Sequence, residues 1–135
     1  MARRTRTPFS ILYIDLDDLK RINDTLGHEV GSDYLAECGD ILKETFRDAD
    51  VIGRIGGDEF AVAGQFTPAA IDATTERLKA ALAKRNSDAS RRFPLAFSLG
   101  HATAEEHGYE SLKDLLAAAD AAMYDEKRRG KALAV

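Results

Sequence analysis

The chain has 135 residues, 44% of them hydrophobic and 31% charged, which suits one core-forming domain and neither two domains nor a disordered chain. A net charge of −4 excludes a broad basic surface for nucleic-acid polymers, and the longest uncharged apolar run, Phe9 to Ile14, is far too short for a membrane span. A single cysteine, Cys38, excludes an internal disulfide and fits a reducing, cytoplasmic setting, while three scattered histidines cannot complete a zinc finger.

Residues 1–8, with Arg3, Arg4 and Arg6, read as a flexible basic leader, and 9–135 as the domain. Phe9 to Asp15 is apolar on both faces and predicts a central strand that ends on a carboxylate. Asp17 or Asp18 can cap a short helix towards Leu26, which Gly27 stops. From Ser32 onward Leu35, Cys38, Leu42 and Phe46 recur at helical spacing and predict a second helix ending near Arg47. Val51 to Ile55 and Phe60 to Gly64 predict two short strands. Gly56-Gly57 between them predicts a tight hairpin whose turn takes positive φ.

Thr67-Pro68 marks a helix start, with a capping hydroxyl followed by proline, and Ile71, Leu78 and Leu82 carry that helix to about Lys84. Arg85 to Arg92 reads as a loop and Phe93 to Ala102 as a strand. Ser111 caps a last helix with Leu112, Leu115, Leu116, Ala119 and Met123 inward, and Ala132 to Val135 can add a strand. The expected class is α/β (α+β), in the order βααββαβα, with a mixed central sheet flanked by helices.

Two acidic clusters carry the chemistry. Asp15-Leu16-Asp17-Asp18 lies where a buried strand reaches the sheet edge, and Asp58-Glu59 lies at the glycine hairpin. Should the hairpin lie beside the first strand, Asp15 and Asp58 meet with nothing basic between them. Such hard oxygen ligands suit magnesium, or manganese in its place. Lys127 and Lys131, at the end of the last helix, can neutralise phosphates, and the backbone amides from Asp17 to Lys20 offer further donors. Cys38, on an apolar helix face, reads as core.

Four segments in order resemble the GGDEF domain, the diguanylate cyclase module of bacterial signalling: Asp15 to His28, Arg54-Ile-Gly-Gly-Asp-Glu-Phe60, Ser98-Leu-Gly100, and Ala119 to Lys131. The resemblance implies a nucleotide-cyclase, polymerase-palm-like fold and the condensation of two GTP into cyclic di-GMP with loss of two pyrophosphates. Two domains would face each other as a transient homodimer, one GTP on each. By the same resemblance Asp15, Asp58 and the Leu16 carbonyl hold the metal. Asp58, Glu59 or a metal-bound hydroxide removes the hydroxyl proton. Asn23 meets the guanine edge, Gly56 and Gly57 admit the nucleotide, Lys127 and Lys131 bind phosphates, and Arg47 with Asp50 forms an RxxD product-inhibition site. Ser32 departs from the pattern, standing where the family usually has a guanine-binding aspartate. That departure motivates the alternative of a degenerate module that binds GTP or cyclic di-GMP and regulates a partner without turnover. A palm-like polymerase fragment is a third class, disfavoured by the acidic balance and small size.

Overall fold

The computed structural model describes residues 9–47, 50–104 and 111–129. Eight elements follow in chain order: β1 (Phe9–Leu16), α1 (Leu19–Leu26), α2 (His28–Thr45), β2 (Val51–Arg54), β3 (Glu59–Gln65), α3 (Pro68–Asn86), β4 (Phe97–Thr103) and α4 (Leu112–Arg128). Among the described residues the order is βααββαβα, as the residue pattern predicts. The leader at 1–8 and the expected strand at Ala132 to Val135 lie outside the described residues.

The strands form a sheet in the order β2-β3-β1-β4. Every described pairing is antiparallel, which corrects the expectation of a mixed sheet. The reason is topological. The helical crossover from β1 to β2 skips one strand, and β3 turns back into the gap. The crossover from β3 to β4 likewise steps over β1. Strands joined by helices therefore run parallel but never touch, as in a split β-α-β arrangement.

Strand alternation sorts β1 cleanly. Leu12, Ile14 and Leu16 join Phe60, Val62 and Phe97 against α2 and α3, where Cys38, Ile41, Leu42, Leu78 and Leu82 complete the larger core. Cys38 is fully buried, and burial pushes its thiol up to about 12, as befits a core residue. Ile11 and Tyr13 face the other way, towards Ala102 and towards Leu115, Ala119 and Met123 of α4. Gly100 lets α4 come close: a Cβ there would lie 2.0 Å from the Met123 amide nitrogen and 2.6 Å from the Ala119 carbonyl oxygen.

Helix starts follow local chemistry. The Thr67 hydroxyl accepts from the Ala70 amide at 3.0 Å with Pro68 behind it, and the Ser111 hydroxyl accepts from the Asp114 amide at 3.1 Å. Two boundaries differ from expectation. Helix α2 begins at His28 rather than Ser32, because Gly27, at φ 95°, both stops α1 and opens α2. Residues 93–96 are not strand. Pro94 has no amide to donate, and the backbone on either side of it is bonded to side chains: Tyr34 donates to the Phe93 carbonyl and accepts from its amide, while Asn86 does the same at Leu95.

Candidate active site

The antiparallel register sets Asp15 opposite Glu59 of β3 on one side and Ser98 of β4 on the other. The Leu16 amide donates to the Asp58 carbonyl at 3.0 Å, tying the hairpin to the end of β1. Asp15, Asp58 and Glu59 thus each bring a carboxylate oxygen to within 4.8 Å of the others. The expected meeting of Asp15 with Asp58 holds, and Glu59 belongs to the same cluster.

The absence of a base does not hold. Lys127, in the last turn of α4, donates to Asp15 Oδ2 at 2.6 Å and stands 4.0 Å from Asp17 Oδ1. It gets there because Leu115, Ala119, Met123 and Lys127 follow one another four residues apart, so one ridge of α4 crosses the sheet. Beneath it the sheet grades from Ile11, Ala63 and Ala102 through Tyr13, Ala61 and Gly100 to Asp15, Glu59 and Ser98.

Asp15 is only 4% exposed, and burial raises its carboxyl to about 6. The Lys127 hydrogen bond opposes that rise and the charge of Asp58 adds to it. Burial by itself would lower Lys127, but the Asp15 hydrogen bond and the charges of Asp15, Asp17 and Asp58 outweigh it and hold the ammonium above its usual range. Asp15 Oδ1 is buried without a hydrogen-bond partner. A buried, unpartnered carboxylate oxygen among three converging carboxylates is the donor set a hard divalent cation requires. The cluster can hold such an ion.

Two neighbours escaped the sequence reading, although period-two spacing marks both. Asp17, expected in the first acidic cluster and as a helix cap but with no role for its side chain at the site, continues the face of Tyr13 and Asp15. Its Oδ1 accepts from Ser98 at 2.6 Å, its Oδ2 is buried and unpartnered, and burial raises its carboxyl. Tyr13 donates to Glu59 Oε1 at 3.1 Å; burial first, then Glu59, pushes its hydroxyl well above the usual tyrosine range. The position capping α1 is Asp18, left-handed at φ 62° and making no side-chain cap bond. Among the amides expected to face phosphate, that of Asp17 is already committed to the Ala96 carbonyl at 2.8 Å.

The hairpin forms, but neither Gly56 nor Gly57 takes positive φ, since four residues rather than two connect the strands. Arg54 holds this loop by donating to the Gly56 carbonyl at 3.3 Å and the Gly57 carbonyl at 2.7 Å. Gly56 is small for space: a Cβ would stand 2.9 Å from Glu59 Oε1.

Asn23 lies in α1 and Ser32 in α2, and neither belongs to the carboxylate cluster. Asn23 Oδ1 is buried, unpartnered and packed on Gly31, where a Cβ would fall 1.7 Å from it. Ser32 lines a cavity of about 470 Å³ between α2 and the β2–β3 edge. Arg47 and Asp50 do pair, at 3.6 Å, with Asp50 Oδ2 also accepting from the Arg47 amide at 3.0 Å. They border a separate groove of about 520 Å³, to which α3 adds Arg77, a residue that motif spacing does not reveal. Lys131 lies outside the described residues. Among the described residues no helix is long and apolar enough to cross a membrane.

The family description "Diguanylate cyclase, GGDEF domain" matches residues 1–132. The sequence is 36% identical over 133 residues to the diguanylate cyclase DosC of Escherichia coli K12, covering 96% of this chain and 28% of that protein. It therefore spans under a third of that relative's length. Among solved structures, an EAL/GGDEF domain protein from M. capsulatus superposes with a TM-score of 0.79 at 30% identity, covering 96% of this chain and 84% of that one. The GGDEF domain of DgcB from Caulobacter crescentus, solved with c-di-GMP, gives 0.78 at 25% identity, covering 93% and 75%.

Proposed function

Because the chain belongs to the GGDEF family, we propose that it is a diguanylate cyclase, working in the cytoplasm and joining two GTP into cyclic di-GMP with release of two pyrophosphates. The observation that carries this reading is the convergence of Asp15, Asp58 and Glu59 at the sheet edge with Lys127 beside them. Magnesium, or manganese, held there by Asp15, Asp58 and the Leu16 carbonyl would neutralise charge on the α-phosphate and acidify the attacking 3′-hydroxyl.

The chain's own groups supply the rest. Glu59, oriented by the Tyr13 hydroxyl, takes the 3′-hydroxyl proton, with Asp58 as the second carboxylate in reach. Lys127 sits against Asp15, and triphosphate oxygens offer it a competing partner. Lys131 adds a second cation for phosphate, Gly56 and Gly57 leave room for the nucleotide, and Asn23 and Ser32 meet the guanine. Since each domain presents one GTP, a second copy must face the first in a transient homodimer, which supplies orientation. Product binds away from the carboxylates, in the groove at Arg47 and Asp50, where a planar guanidinium suits a phosphate or a guanine edge.

The alternative is a binding module without turnover, and Ser32 is the residue that favours it. Incubating the protein with GTP and magnesium and resolving the products separates the two. The expected result is cyclic di-GMP and pyrophosphate in a 1:2 ratio. GTP bound and recovered intact would establish the alternative.

A further inference from the structure

If Asp15, Asp58 and the Leu16 carbonyl hold a divalent cation as proposed above, on which this inference rests, Asp15 has two claimants. Its carboxylate converges with those of Asp58 and Glu59, and its Oδ2 also accepts from the Lys127 ammonium at 2.6 Å. A divalent cation and an ammonium on one carboxylate repel each other, and at a buried group solvent and salt screen them poorly. Lys127 therefore opposes the cation unless another anion takes it.

Asp17 is placed to do so. Among the described residues, the carboxylates within 4.0 Å of the ammonium are those of Asp15 and Asp17. Asp17 stands outside the converging set, so a cation held there leaves it unclaimed. Tying β1 to β4 needs only one of its oxygens, Oδ1, which accepts from Ser98 at 2.6 Å. The other, Oδ2, is buried without a partner, and leaving it so is costly. The two side chains also differ in freedom. That of Asp17 is 11% exposed, with one oxygen held by Ser98 and its amide bonded to the Ala96 carbonyl at 2.8 Å. That of Lys127 is 42% exposed, on a flexible stem in the last turn of α4. Closing the gap is a change of rotamer for the lysine and a break in the strand tie for the aspartate.

We infer that Asp17 is a positioning residue for Lys127: it seats the ammonium while Asp15 serves the cation, and so keeps the lysine within reach of triphosphate oxygens. Without that seat Lys127 has two courses. It stays on Asp15, against the cation, or it turns to solvent, away from the phosphates. Asp17 thus acts on cation binding through the lysine and not as a ligand.

The test is a double-mutant cycle on the 135-residue chain, with manganese alone as the probe and the loss of its free-ion paramagnetic resonance signal as the readout. Asp17→Asn is isosteric and keeps an acceptor for Ser98, so it removes the charge and spares the strand tie. Lys127→Gln should tighten manganese binding by about tenfold, the worth of a charged hydrogen bond that no longer opposes it. Asp17→Asn should weaken binding by about tenfold, since Lys127 loses its seat. In the Lys127→Gln background the same Asp17→Asn change should cost less than about twofold, because no ammonium is left to seat. If Asp17 acted on the cation by its own charge, the loss would be equal in both backgrounds, and that result overturns the inference. A Lys127→Gln variant that binds manganese no tighter than wild type overturns it as well. Failure of the underlying cation site looks different: wild type and Asp15→Asn then bind manganese equally poorly, whatever stands at position 17, and the inference falls with the site.

Discussion

On the face covered by α2 and α3, the strands present Leu12, Ile14, Leu16, Phe60, Val62 and Phe97, none more than 7% exposed. On the face covered by α4, the same strands present Ile11, Tyr13 and Asp15, Ala61 and Glu59, and Ser98 and Gly100. The first face is filled by bulk and is mostly apolar, its polar positions including the hydrogen-bonded pair Ser10 and Thr103 and the exposed His101. The second is thin, with alanines and a glycine that let a helix backbone settle onto the sheet, and it changes from apolar to ionic along the strands. Burying Asp15 is costly, and that cost falls on the face that contributes least to the core. Stability and chemistry are thereby separated by the thickness of one sheet.

Substitutions on the two faces should have different signatures. The largest effect belongs to Asp15→Asn, which should reduce turnover by about 10³-fold or more, measured as cyclic di-GMP formed from GTP. Its metal-free stability should hold or rise. Asp15 titrates near 6 in the folded chain, chiefly because it is buried, and near 4 when unfolded. Between those values the folded state binds the extra proton, so wild-type stability declines as the pH rises from about 4 to 6. Thermal melts should show this slope in wild type and lose it in Asp15→Asn. A variant that melts far below wild type at pH 7 would mean the acidic face is also a structural one.

Next in size is Leu78→Ala on α3. Leu78 is fully buried in the larger core, and its truncation should cost about 2–5 kcal/mol in denaturant unfolding. Turnover per folded molecule should stay near wild type. If turnover fell tenfold while stability stood still, the division between faces would break.

The smallest of the three is Gly100→Ala, which sharpens the comparison because it touches both functions. The new Cβ must push α4 outward, at about 1–3 kcal/mol by the usual cost of overpacking. The same displacement carries Lys127 away from Asp15, so GTP affinity should weaken along with stability. Calorimetry on the folded variant gives the answer, and unchanged affinity would show that Lys127 reaches the site independently of how α4 is seated.

The sequence is legible where local chemistry decides. Phe9 to Asp15 is too apolar for an edge strand, and Thr67-Pro68 and Ser111 open their helices by side-chain bonds that spacing alone suggests. The acidic cluster is legible too, because Asp15 ends an apolar segment and Asp58 stands at the glycine hairpin. What escapes depends on partners far along the chain. Lys127 and Asp15 are 112 positions apart, and only the seating of α4 on Gly100 joins them. The sheet's pairing depends on which strand each crossover skips, and no residue announces that. Phe93 to Ala96 carries strand-forming side chains but loses its ladder to Tyr34 and Asn86 from other helices. Tyr13 and Asp17 can be found by counting in twos from Asp15.

The segment around Pro94 has a consequence for how the molecule meets its neighbours. Among the described residues strand β4 lies at the border of the sheet, and 93–96 would lengthen that border if it were extended into the ladder. Instead the amides of Phe93 and Leu95 are held by Tyr34 and Asn86, at 2.9 and 2.8 Å, and Pro94 between them has none to give. Two side chains from the helical layer act as a false neighbouring strand. A β-segment from another chain arriving at 93–95 finds no free amide to add to, so this stretch is protected against edge-to-edge aggregation.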